Sequence, residues 1–164
     1  MSRTRASATV AALLLSAWLG AALFFSAIVA PAAFRTLPEA SMAGALVRAT
    51  LPPILYAGII VGLASLWLGA SGAPVSARGV RAACGAGVAV CCAVAQFVAV
   101  RQIDRVRAQL TAPLESLAPN HPVRLTFGRL HALSVGLLGL SMLLAAVAVV
   151  LSWRAGLASS VSPE

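Results

Sequence analysis

The residues best equipped for chemistry stand at the ends of long apolar runs. In FGRLHALS, residues 127–134, Arg129 and His131 mark the mouth of one run, and Ser134 lies one turn further in. In RQIDRVRAQL, residues 101–110, Asp104 marks the exit of another, with Arg101 and Arg107 three residues to either side. A histidine beside an aspartate makes a general base with its orienting carboxylate. Joined by Arg35 and Arg101, the same pair makes instead a polar cluster suited to a small ligand, an ion or a partner. No nucleophile accompanies His131 and Asp104, which weighs against an enzyme. The plainest alternative makes Arg35, Arg101, Asp104 and His131 independent anchors at an interface, because arginines are routine at the ends of membrane spans.

Metal and redox chemistry have less to work with. Cys84, Cys91 and Cys92 share one apolar run. The first two lie on one helical face, the vicinal pair points apart, and a zinc site would want a paired C-x-x-C or more histidines. They read as small packing residues. A haem or copper protein remains the alternative function, although His121 and His131 are its only imidazoles and His121 falls in a loop. No metal site and no cofactor are therefore expected.

All 12 basic residues are arginine and the formal charge is +8, a balance that suits nucleic acid or anionic lipid. Position decides between them. Arg3, Arg5, Arg35, Arg48, Arg78, Arg81, Arg101, Arg129 and Arg154 all flank uncharged stretches, where an arginine can reach headgroups and fix the end of a span. There is no basic stripe with aromatic platforms, so nucleic acid is excluded as a partner and the lipid bilayer is expected.

The elements that must position these groups follow from composition. At 60% hydrophobic and 10% charged residues, with mean hydropathy +0.96, the chain lies outside the soluble globular range. Four uncharged gaps, Ala6–Phe34, Ala49–Ala77, Ala82–Val100 and Leu130–Trp153, are each long enough to cross a hydrocarbon core of about 30 Å. A basic start, MSRTR, invites a cleaved signal peptide, but the apolar run outlasts the roughly 7–15 residues of a secretory core. The expectation is an all-α integral membrane four-helix bundle, one domain over residues 1–164 with spans near 7–33, 50–71, 81–102 and 127–153.

Local signals refine this frame. Pro31 should kink or end the first helix, whose packing face is predicted to run through Gly20, Phe24, Ala27, Pro31 and Arg35. Thr36 and Glu39, three apart around Pro38, have the spacing of a capping box and predict a short interfacial helix between spans one and two. Glu39 is thereby structural. Gly58, Gly62, Ser65 and Gly69 form a small-residue stripe on the second span, and Gly85, Ala89 and Ala93 another on the third. On the fourth, Phe127, His131, Ser134, Leu138, Ser141 and Ala145 share one side, so His131 is expected to face the bundle and turn toward Asp104.

With AWLGAALFFSAIVAPAAFRTLP in the first span, ATLPPILYAG opening the second, RQIDRVRAQL leaving the third and FGRLHALS opening the fourth, the chain resembles the transmembrane protein 205-like family. These are four-span membrane proteins, also grouped as a bacterial domain of unknown function. The resemblance covers most of the chain. Ala132 stands where that family often has glycine. A looser likeness joins the Trp-Leu-Gly of the first span to four-helix units of copper-resistance membrane proteins. The main resemblance implies a compact bundle and brings no settled activity.

In a four-span hairpin topology Arg35, Glu39, Arg48, Arg101, Asp104, Arg129 and His131 all emerge on one side. The expected protein is a multi-pass protein of the bacterial inner membrane with a one-sided polar mouth. Seven arginines on that side against five on the other nearly balance the orientation rule; Arg3 and Arg5, before the first span, favour cytoplasmic termini. A homo-oligomer or a membrane-protein partner is compatible with the small-residue stripes.

Overall fold

The computed structural model describes residues 3–69, 75–110 and 114–158; the side chains of Arg3, Arg5 and Arg78, and residues 70–71 of the second predicted span, lie outside what it describes. Four helical segments, Ala6–Thr36, Ala40–Leu68, Gly79–Ala108 and Pro122–Arg154, are long and apolar enough to cross a membrane. Among the described residues there is no strand.

The first span is helix α1 (Arg3–Phe24), one π-helical turn (Phe25–Val29) and helix α2 (Ala30–Thr36). Pro31 does not end it. The wide turn lets the Ala30 N–H bond the Phe25 carbonyl five residues back, which makes room for a ring that would otherwise crowd the preceding turn. The buried face also differs from the expected one. Leu15, Trp18, Ala22 and Phe25 point into the core, whereas Gly20 and Phe24 are exposed. Trp18 is the reason: its indole N–H donates to the Ile54 carbonyl at 2.9 Å, and a buried indole needs such a partner.

Helix α3 (Ala40–Gly69) is one continuous 30-residue helix that contains Pro52 and Pro53. The separate interfacial helix expected after Thr36 is thus the first part of α3. Its prolines leave carbonyls one turn back without a donor, and the Thr50 hydroxyl donates to the Leu46 and Val47 carbonyls beside them at 2.8 and 3.3 Å. Membrane helices tolerate such prolines, and hydroxyl back-bonding of this kind bends a helix, here in the turn just before them. The capping box is not formed. Thr36 donates to the Ala32 carbonyl at 2.8 Å, while the Glu39 carbonyl accepts the first N–H groups of α3, from Met42 and Ala43.

The third span is helix α4 (Val75–Val94), a second π turn (Ala95–Val100) and helix α5 (Arg101–Ala108). After a short 3-10 turn (Leu114–Ser116), helix α6 (Pro122–Ala158) forms the fourth. It starts five residues before the predicted 127 because His121 caps it. The Val123 N–H donates to His121 Nδ1 at 3.3 Å, and Pro122 in the first turn has no N–H to satisfy.

Helix α1 packs on α3 and α6, and α4 packs on α3 and α6, which closes a square bundle. The α3–α4 seam is the tightest. A Cβ on Gly58 would lie 2.5 Å from Cys92 Sγ, and one on Gly62 would lie 2.7 Å from both the Ala89 nitrogen and the Gly85 carbonyl oxygen. Contacts descend α4 as they ascend α3, so the two run antiparallel. The predicted stripe is therefore a backbone-to-backbone contact, the arrangement that small residues permit in lipid. Cys84, Cys91 and Cys92 are buried packing residues. From Ser134 inward, Leu138, Ser141 and Ala145 are buried along α6 as the spacing predicts.

Candidate functional site

At the end of the bundle away from the chain termini, α3, α5 and α6 meet around Arg107. Its guanidinium carbon lies 5.0 Å from the centroid of the Phe127 ring on α6. The guanidinium also lies against Gly44 of α3, where a Cβ would come within 3.2 Å of it. The absence of a side chain at Gly44 leaves room for the arginine. A cation held over an aromatic face with little space to swing is oriented before any ligand arrives.

Arg107 lines an open cleft of about 390 Å³ with Arg48, Asp104 and Ala108. The helical spacing places Asp104 one turn from Arg107 on the same wall, and Arg48 is contributed by α3. Among the described residues no ion pair joins Asp104 to an arginine or to His131. Arg101, the other arginine three residues from Asp104, sits over the Phe97 ring at 5.0 Å. Both neighbours that sequence spacing offers to Asp104 are thus engaged by aromatic faces.

His131 occupies a different place from the one expected. Its ring stacks on Phe127, with centroids 6.3 Å apart and planes 4° from parallel, and it is exposed at the mouth. Phe127 thus lies between Arg107 and His131, and among the described residues no hydrogen bond or ion pair joins His131 to Asp104. Arg35 is exposed at the end of α2 and Ser134 is buried one turn below His131. The expected set of Arg35, Arg101, Asp104, His131 and Ser134 is thus distributed around the mouth, and of these Asp104 alone lines the cleft. The sequence did not single out Arg48, Arg107 and Ala108 as cleft residues, nor Gly44 and Phe127 as the neighbours of Arg107. A usable signal existed: Arg107 lies three residues from Asp104, and Phe127 lies four from His131.

Glu39 takes a local role, accepting the Ser41 hydroxyl at 2.9 Å. Among the described residues no three His, Cys, Asp or Glu side chains gather as a metal would need. His121, at the cap of α6, and His131, within it, are ten residues apart, about 15 Å along the helix axis, too far to share one iron.

The opposite end of the bundle holds a second polar feature. Arg81, expected to reach headgroups, is buried with only 7% of its surface exposed. With Ser65, Ser152, Ala8, Ala11, Leu15 and Ala148 it lines a void of about 10 Å³. The Ser65 hydroxyl is buried without a hydrogen-bond partner. In mid-bundle, the second π turn buries Gln96, whose Nε2 lies 3.5 Å from the Tyr56 hydroxyl.

Four apolar helices in a closed square with a cationic cleft at one end define a multi-pass integral membrane protein with a polar mouth. Residues 13–112 match the family model of a domain of unknown function, DUF4149, and the chain belongs to that family. No curated protein and no solved structure matches it.

Proposed function

We propose that this is a non-enzymatic membrane protein that binds a small ligand or ion in the Arg48–Asp104–Arg107 cleft. One observation carries this: two arginines from different spans and an aspartate line one open cleft of about 390 Å³, and one of the arginines packs against Gly44 and Phe127. Isolated anchors would not need such support, since an arginine in the headgroup layer keeps its freedom. Arg35, Arg101 and His131 ring the mouth and set its polarity, with Ser134 buried beneath His131. The likeness of the four span openings to the transmembrane protein 205-like proteins favours that four-span group within the wider family.

The chain is assigned to a bacterial inner membrane with both termini cytoplasmic, on the strength of Arg3 and Arg5 before the first span. The cleft then opens on the far side. The test is native mass spectrometry of the protein released from its own membrane. The intact protein should carry a bound small species that an Arg48→Gln, Arg107→Gln variant lacks. Identical spectra from the two would overturn the assignment, and a reporter fused after Glu164 that is active only outside the cytoplasm would reverse the orientation.

A further inference from the structure

The composition of the cleft selects among ligands. Its described lining carries two guanidinium groups, one carboxylate and the apolar edge of Ala108. Guanidinium groups favour phosphate through paired, charge-assisted N–H donation. Asp104 is then the informative residue. A carboxylate beside an anion site repels a ligand that is anionic throughout, and this one has both oxygens uncommitted to any ion pair among the described residues. A ligand that satisfies all three groups carries a phosphate and, within a few bonds, a cationic N–H donor. A trimethylammonium group has the charge but no hydrogen to donate, so it would match Asp104 less well.

Position adds a second constraint. Asp104 and Arg107 lie in the last two turns of the third candidate span, which ends at Ala108, and Arg48 precedes the apolar part of α3. That is the depth of lipid headgroups. A volume of about 390 Å³ falls in the range of about 300 to 1,000 Å³ usual for small-molecule sites, and its open side leaves acyl chains free to lie along the bundle.

We propose that the cleft is a phosphoethanolamine site, with the phosphodiester on Arg48 and Arg107 and the ammonium on Asp104. This rests on the ligand-site assignment above and gives it a ligand class. The same chemistry is offered by a phosphatidylethanolamine headgroup and by free phosphoethanolamine.

Delipidated protein in detergent is titrated with phosphatidylethanolamine, phosphatidylglycerol or phosphatidylcholine, and separately with phosphoethanolamine, and bound species are counted by native mass spectrometry. The intact protein should retain phosphatidylethanolamine about tenfold better than either other lipid, the worth of one charge-assisted hydrogen bond. Asp104→Asn should erase that preference while keeping phosphatidylglycerol, and Arg107→Gln should weaken both. Asp104 is exposed, so its variant should fold, and an unchanged melting temperature checks that. Retention of the lipid assigns the site to the bilayer, whereas binding of phosphoethanolamine alone assigns it to the free compound; either upholds the chemistry. An Asp104→Asn variant with its preference intact overturns the phosphoethanolamine assignment and leaves a simple anion cleft. If the intact protein and the Arg48→Gln, Arg107→Gln variant retain every probe equally, the ligand site itself is lost.

Discussion

The two ends of the bundle use the same residue type in opposite ways. At the terminal end Arg81 is buried among Ser65, Ser152 and small apolar side chains around a void of about 10 Å³. At the other end Arg107 is half-buried, braced by Gly44 and Phe127, and lines an open cleft of about 390 Å³. A count of arginines at span ends treats them alike. Burial separates them: the first is part of the bundle interior, and the second is presented to whatever enters the mouth.

The strongest way to break this comparison is to truncate each arginine. Arg81→Ala should cost about 2 to 5 kcal/mol in detergent unfolding, as for other large side chains removed from a core, because the polar contact Arg81 makes is lost with its volume. Arg107→Ala should cost about 1 kcal/mol, the scale of a partly exposed cation over an aromatic ring. Equal losses would erase the distinction. A finer cut pairs Arg107→Ala with Phe127→Leu, where the double variant should lose about 0.5 to 1 kcal/mol less than the two single losses added. Strict additivity there would remove the brace.

Smaller still is the relation between Asp104 and His131. Since His131 stacks on Phe127 and among the described residues no hydrogen bond or ion pair joins it to Asp104, the stability losses of Asp104→Ala and His131→Ala should add to within about 0.5 kcal/mol. A larger coupling would restore the base-and-carboxylate pair that spacing suggested. Smallest is Arg129→Gln. Arg129 is exposed, so folding should change by no more than about 0.5 kcal/mol, and any effect should appear in membrane orientation measured by reporter fusion.

Much of the architecture was readable because lipid imposes it. Four uncharged runs require four helices, and Gly58, Gly62 and Gly85 announced a close seam that the structure places between α3 and α4. What escaped reading depends on phase and depth. The face of α1 was misassigned because one hydrogen bond from Trp18 to Ile54 outweighs a pattern of small residues. Arg81 looked like an anchor because sequence gives its distance from the next charge but not whether its side chain turns inward. The cleft joins residues on α3 and α5 that are remote in sequence, so only Asp104 and its spacing to Arg107 hinted at it.

The π turn at Ala95–Val100 has an evolutionary consequence. A turn of that kind holds one residue more than an α turn, so the third span behaves as though an insertion had been fixed within it. An α-helix advances by about 100° per residue and the wider turn by less, so the extra residue is absorbed within the turn and the helix beyond it keeps its direction. Loss of a single codon from this stretch would let an ordinary helix form, with every apolar residue still compatible with lipid. Asp104 and Arg107 would keep facing Arg48 and Gly44, whereas the same loss from the regular α-helical part of α4 would swing them by about 100°. Reading-frame-preserving deletions, usually best tolerated in loops, should therefore be tolerated at this point inside a span, with the mouth kept intact.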